Sequence, residues 1–396
     1  MIFTMKISMD NNKNNSRSSR GSSNTKNAAS MGTKISDVSV NKKTMQNDKK
    51  TAKNHDFRDP KRQNYRENSG NMNKKVSGKA PSDIFSKMKF ILYGIIFAVV
   101  LLIVFILILS LIGANKVISP EKLLIQATPD NFDLIYDYVD ITTENDDHII
   151  GWWIPAQNYS GDEIKSDKTI IMSHAIASNR EMIEISLMYL IKELSSNGYN
   201  VMTFDFLGSG TSIGKGNCLG SDNTKDLLVV TDYVKNIKNN ENIAVLGWAT
   251  GASAALGAIA QSDDIEAVII DSCYTKIDRY LDVIIPMLTG LPQFPFNGII
   301  KFLLPMLSGE KIGENDPISV ISQIKNKDLL FISGSSDQIT LPSESQTLYN
   351  MANTHNNTEF YNVDGAFHTF AFIEQEENYV SHVLNFLNKV FEKSIT

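Results

Sequence analysis

From about Val117 onward, short apolar runs alternate with longer amphipathic stretches. Runs of this length, rich in Ile, Val and Leu and polar at their ends, predict strands buried on both faces, while stretches with a 3.6-residue apolar period predict helices. Strands are expected over Ile135–Thr143, Ile149–Ile154, Thr169–Ser173, Asn200–Phe206, Ile243–Gly247, Ala267–Asp271, Leu329–Gly334 and Thr358–Val363. Helices are expected around Glu181–Leu194, Asp222–Ile237, Ser343–Met351 and Glu374–Phe391. That alternation implies one doubly wound α/β domain over residues 115–396: a mostly parallel eight-stranded sheet with helices on both faces. One connection is too long to be a plain loop. Within residues 273–323, Ile277 to Leu307 is rich in Leu, Ile, Phe and Pro, and Pro286, Pro292, Pro295 and Pro305 interrupt any single long helix. A short helical cap over the carboxyl ends of the strands is expected there, enclosing an apolar pocket.

The apolar pattern changes character ahead of this domain. Phe90 to Ala114 carries no charged residue, and at about 1.5 Å per residue such a run spans a bilayer with some tilt. A cleaved leader has a shorter apolar core, so an uncleaved single transmembrane helix over residues 90–114 is expected. Residues 1–89 hold 20 Lys and Arg against 7 Asp and Glu in an Asn- and Ser-rich background, a composition that cannot bury enough apolar surface to offset the entropy of ordering. This basic tail is expected to be disordered, and Met72 and Met88 offer later starts. The other 307 residues hold 18 basic and 37 acidic side chains, so the net charge of −6 hides two opposite polyelectrolytes. Lys74, Lys75, Lys79, Lys87 and Lys89 precede the span, while only Lys116 and Lys122 closely follow it. That asymmetry places the amino terminus in the cytoplasm and the folded domain outside the cell membrane. A basic tail also attracts anionic lipid or nucleic acid. Without an aromatic-rich binding module it reads as a solvated topology signal.

The candidate chemistry lies just after the strands, where open parallel sheets bind ligands. Gly247-Trp248-Ala249-Thr250-Gly251 stands between a predicted strand and the closely packed helix suggested by Ala252-Ser253-Ala254-Ala255-Leu256. This is the context of a Gly-x-Ser-x-Gly nucleophile elbow, with alanine in place of the nucleophile. Later come Gly334-Ser335-Ser336-Asp337 and Gly365-Ala366-Phe367-His368. With elbow, Asp and His in that order, the chain resembles the α/β-hydrolase superfamily, specifically a bacterial membrane-anchored branch of serine hydrolases with esterase, acyl-hydrolase or peptidase-like members. The resemblance covers roughly Asn131 to Phe391. It implies Asp337 as the acid, His368 as the base, and an oxyanion hole from the N–H groups of Ile176 and Thr250. Ala175 departs from the glycine that usually follows the histidine in the Ser173-His174-Ala175-Ile176 loop.

An alanine cannot attack a carbonyl. Without its nucleophile a triad loses turnover by on the order of a millionfold, so the expected function is a catalytically impaired homologue that binds an ester, acyl or peptide-like carbonyl. Three alternatives would keep activity: Ser253 as a displaced nucleophile, the Thr250 hydroxyl, or water activated by His368 and Asp337. Ser209 to Gly216 imitates a phosphate loop, but Ser209 replaces its first glycine and Gly216 its Mg²⁺-binding hydroxyl. Trp152 and Trp153 read as sheet-packing residues. Cys218 and Cys273 are too few for a disulfide-built fold, although the pair remains open in an exported domain. No cofactor or metal is expected, because the six histidines are scattered.

Overall fold

The computed structural model describes residues 81–216, 219, 221–309 and 311–393. Helix α1 (Pro81–Ile118) opens the described part. Pro81 occupies a first-turn position where its missing N–H is not needed, and Asp83 sits favourably at the positive end of the helix dipole. Residues 81–89, expected to belong to the tail, are therefore the first turns of α1, because once nucleated a helix extends for one hydrogen bond per residue. Residues 1–80, on which the rest of the disorder expectation falls, lie outside the described residues.

Eight strands follow: β1 (Asp137–Thr142), β2 (His148–Ile154), β3 (Lys168–Ser173), β4 (Asn200–Phe204), β5 (Asn242–Trp248), β6 (Ile265–Asp271), β7 (Asp328–Gly334) and β8 (Asn357–Val363). They form one sheet in the order β1-β2-β4-β3-β5-β6-β7-β8. The β1–β2 and β2–β4 pairs are antiparallel and all others parallel. The period of two along each strand divides the core between two faces. On β5, Ala244 and Leu246 pack on one side, and Ile243 and Val245 on the other. Helices α2 (Leu187–Ser196) and, at the end of the chain, Glu376–Lys393 cover the first face; α3 (Ser221–Asn236) and α4 (Thr250–Ile259) cover the second. Trp152 and Trp153 are buried on opposite faces.

The helix expected from Glu181 begins only at Leu187. Met182 and Ser186 take left-handed backbone angles, and the Glu181 carboxylate accepts the N–H groups of Gln126 and Ala127 at 2.7 and 2.9 Å. Glu181 is thus drawn into a long-range contact that local periodicity does not register.

Between β6 and β7 lie α5 (Ile277–Thr289), α6 (Gln293–Ser308) and the short α7 (Pro317–Val320). Helices α5 and α6 meet at 110°. The break falls at Gly290, which ends α5 in a left-handed conformation, and Pro292, which precedes α6. Pro286 and Pro305 are accommodated inside the helices, so two of the four prolines read as breaks do not act as such. Helices α8 (Pro342–Ala352), α9 (Ala371–Glu374) and α10 (Glu376–Lys393) complete the domain. A third apolar cluster joins α5 and α6 to the end of α1 and to Ala249 and Ile176.

Candidate active site

The elbow is built by close backbone approach. Ala249 follows β5 with φ 51° and ψ −108°, a conformation strained for any residue with a Cβ. Its N–H donates to the Asp271 carbonyl at 2.9 Å, tying the turn to the end of β6. The glycines on either side have a steric reason to be there. A Cβ on Gly247 would lie 2.6 Å from the Gly251 carbonyl oxygen, and one on Gly251 would lie 2.1 Å from that of Ser173. These glycines serve the turn whatever residue stands at its apex.

Asp337 and His368, from the loops after β7 and β8, are brought together. His368 Nδ1 lies 2.8 Å from Asp337 Oδ2, and the carboxylate is buried. Its other oxygen accepts the N–H groups of Ile339 and Thr340 at 2.8 and 2.9 Å. The Thr340 hydroxyl bridges the pair, 2.7 Å from Asp337 Oδ2 and 3.0 Å from His368 Nδ1. A carboxylate so held keeps the imidazole proton on Nδ1 and leaves the Nε2 lone pair to act as a base. Thr340 escaped the sequence reading, although a threonine three residues after an aspartate in a turn is a recognisable pattern for holding that carboxylate.

The oxyanion side differs from expectation. The Ile176 N–H donates to Thr250 Oγ1 at 2.7 Å, so one expected donor is occupied by the side chain of the residue expected to supply the other. The Thr250 N–H stands at the first position of α4, where a helix provides no internal acceptor. His174 holds the loop from beneath: its Nδ1–H donates to the Ala175 carbonyl at 2.8 Å, and its Nε2 accepts the Phe206 N–H at 3.1 Å. Burial pushes its pKa down, which keeps the ring neutral and structural.

Asp271, at the end of β6, is a second buried carboxyl near the dyad. Burial pushes its pKa up to about 6, against hydrogen bonds from the Ser272 hydroxyl at 2.8 Å and the Tyr379 hydroxyl at 3.0 Å.

The apolar cover expected over the elbow is present but packed. Ala249 is fully buried in the cluster with Tyr280, Ile284 and Ile300 of the cap, and the Tyr280 ring lies 6.3 Å from that of His368. A cavity of about 310 Å³ opens to one side, lined by Ser253, Tyr274, Ile277, Leu219 and Ile312. Neither Ala249 nor His368 lines it. The dyad and the strained turn supply chemistry that the cavity does not, which makes the elbow the candidate site. Ser253 faces the cavity beside Tyr274, and no base is paired with it among the described residues.

The segment read as an imperfect phosphate loop wraps a buried ion pair. Asp205 accepts the Arg180 and Thr211 N–H groups at 2.7 and 2.8 Å and pairs with the Arg180 guanidinium, which also lies 4.4 Å from the Trp152 ring. Cys273 is a buried free thiol whose pKa burial pushes well up. Cys218, the other half of the possible disulfide, lies outside the described residues. Among the described residues no cluster of three or more His, Cys, Asp or Glu is placed to hold a metal ion.

The sheet order, the elbow after β5 and the Asp–His pair after β7 and β8 define the class: the chain belongs to the α/β-hydrolase superfamily. Residues 169–323 match the family model described as serine aminopeptidase, S33. The chain is similar to the esterase Pf2001 of Pyrococcus furiosus, with a TM-score of 0.57 and 27% identity over 68% of this chain and 99% of that one. It is 28% identical to the uncharacterized protein YqkD of Bacillus subtilis over 56% of this chain and 72% of that protein. It is 29% identical to the lysophosphatidylserine lipase ABHD12 of Gallus gallus over 46% of this chain, a match spanning only 47% of that relative's length.

Proposed function

We propose that this protein is a membrane-anchored α/β-hydrolase homologue that has lost its nucleophile and binds an ester, acyl or peptide-like carbonyl without turning it over quickly. The observation that carries this reading is Ala249 at the apex of a fully formed elbow while Asp337 and His368 remain hydrogen-bonded. A base with no hydroxyl to deprotonate cannot start acyl transfer. The Ile176 N–H bound to Thr250 Oγ1 weakens the site further, because an incoming carbonyl oxygen must displace that hydroxyl. The activities named for the esterase and the lysophospholipid lipase favour an ester- or acyl-bearing ligand within this class.

In this reading α1 is the membrane anchor, with the basic amino terminus in the cytoplasm and the hydrolase domain outside. The intact dyad specifically favours one competing reading, in which His368 and Asp337 activate water. Hydrolysis of aryl esters by the full-length natural protein, its His368→Ala variant and its Ala249→Ser variant separates the two. Turnover and serine-directed phosphonate labelling confined to Ala249→Ser support the binder. Turnover by the natural protein that disappears in His368→Ala overturns it in favour of activated water.

A further inference from the structure

Helix α1 does not stop where the folded domain begins. Along its last three turns one face is packed: Ser110, Gly113, Ala114 and Val117 are buried, and Ile106 and Leu109 are half-buried against the cap. Gly113 marks a close approach, since a Cβ there would lie 2.8 Å from Ile300 Cδ1 and 3.3 Å from Leu291 Cδ1. The opposite face of the same turns, Leu107, Ile108, Leu111 and Ile112, is apolar and exposed.

Length then fixes depth. From Lys89, the last charge before the span, to Ile106, where packing on the cap starts, α1 rises about 26 Å. A bilayer hydrocarbon core is about 30 Å thick. With Lys89 at one interface, the core extends past Ile106 into the turns that hold the cap.

The cap is suited to that position. Between Val283 and Ser308 the only charged side chain is Lys301, and its Nζ is 2.9 Å from both Asp278 and Asp282 of α5. On α6, Phe302 and Met306 stand four residues apart and are 72% and 70% exposed, and Phe294, at a non-helical kink (φ −96°, ψ 132°) before the regular part of the helix, is 89% exposed. The four-residue spacing places Phe302 and Met306 along one stripe of the helix. Gly298, within the same stripe, has open space where a Cβ would be.

We infer that the α5–α6 cap is seated in the membrane beside α1, with Phe294, Phe302 and Met306 among the lipid acyl chains. Apolar side chains standing free in water would otherwise expose a patch that soluble monomers avoid. The inference rests on α1 spanning a membrane, and it is independent of whether Ala249 abolishes catalysis.

The test uses the full chain in phosphatidylcholine–phosphatidylglycerol vesicles whose phosphatidylcholine carries bromine on its acyl chains. Single tryptophans are introduced at exposed positions by Phe302→Trp, Met306→Trp, Leu101→Trp in the span and Ile237→Trp beyond the end of α3. The native Trp152, Trp153 and Trp248 are buried and give a constant background. Emission from 302 and 306 should be lost to the brominated chains as it is from 101 and resist aqueous iodide, while 237 behaves in the opposite way. Iodide quenching at 302 and 306 equal to that at 237, without bromine quenching, overturns the inference. If 101 also escapes bromine, the spanning role of α1 falls with it, and the reading of the elbow stands on its own experiment.

Discussion

Restoring the nucleophile should not by itself restore a fast hydrolase. Ala249→Ser places a hydroxyl on the strained turn, in a chain whose Asp337–His368 pair is assembled. The oxyanion formed in attack still meets an Ile176 N–H already donating to Thr250 Oγ1 at 2.7 Å. Loss of one oxyanion donor lowers kcat by about 10²–10³, or about 3–4 kcal/mol. If the hydroxyl swings aside, the penalty shrinks towards that of one neutral hydrogen bond, about 1 kcal/mol or roughly fivefold. Thr250→Val keeps the β-branched shape and removes the acceptor. The Ala249→Ser/Thr250→Val protein should therefore hydrolyse short aryl esters faster than Ala249→Ser by a factor between about 5 and 10³. The gain should lie in kcat rather than KM, because the donor acts on charge that develops in the transition state. Stopped-flow release of the aryl alcohol, normalised to sites titrated with a serine-directed phosphonate, measures it. Equal rates in the single and double variants, with both folded by thermal melting, would refute the view that Thr250 blocks the oxyanion donor.

Two further outcomes concern stability. Asp271 has its folded pKa raised from 3.8 to about 6 by burial, so it favours the folded state most below pH 3.8, and that contribution is lost as pH rises through about 6. Relative to Asp271→Asn, the natural protein should lose about 2 kcal/mol between pH 4 and pH 7.5, read from denaturant unfolding in detergent at the two pH values; an unchanged difference would count against a buried carboxyl with a raised pKa. Arg180→Met should cost about 3–5 kcal/mol by leaving Asp205 buried and unpaired, seen as a fall in Tm of about 10 °C. Arg180→Met/Asp205→Asn should recover much of that loss, and a double variant no better than the single one would show that the pair matters through shape rather than charge.

Much of the fold was legible because strands buried on both faces must be apolar throughout, and such runs stand out between polar turns. The expected strands match β1 to β8 with ends displaced by at most two residues. The strained turn at Ala249 and the pairing of Asp337 with His368 were legible as geometry because such residues stand at fixed places in a motif. The failures share one cause. Glu181 reads as a helical residue until Gln126 and Ala127 approach its carboxylate, and Ile176 reads as a free donor until Thr250, 74 residues away, turns its hydroxyl towards it. Contacts between segments distant in sequence leave no local periodicity.

The sequence alone determined the apolar span, the strands and the missing hydroxyl at Ala249, because each is a property of residue type and spacing. Only the tertiary structure decided that the Ile176 N–H is occupied, that Arg180 and Asp205 form a buried pair, that the Asp271 carboxyl is raised, and that α1 packs against the cap. Those depend on which side chains the folded backbone brings within a few ångströms, where desolvation and hydrogen-bond geometry set the energy.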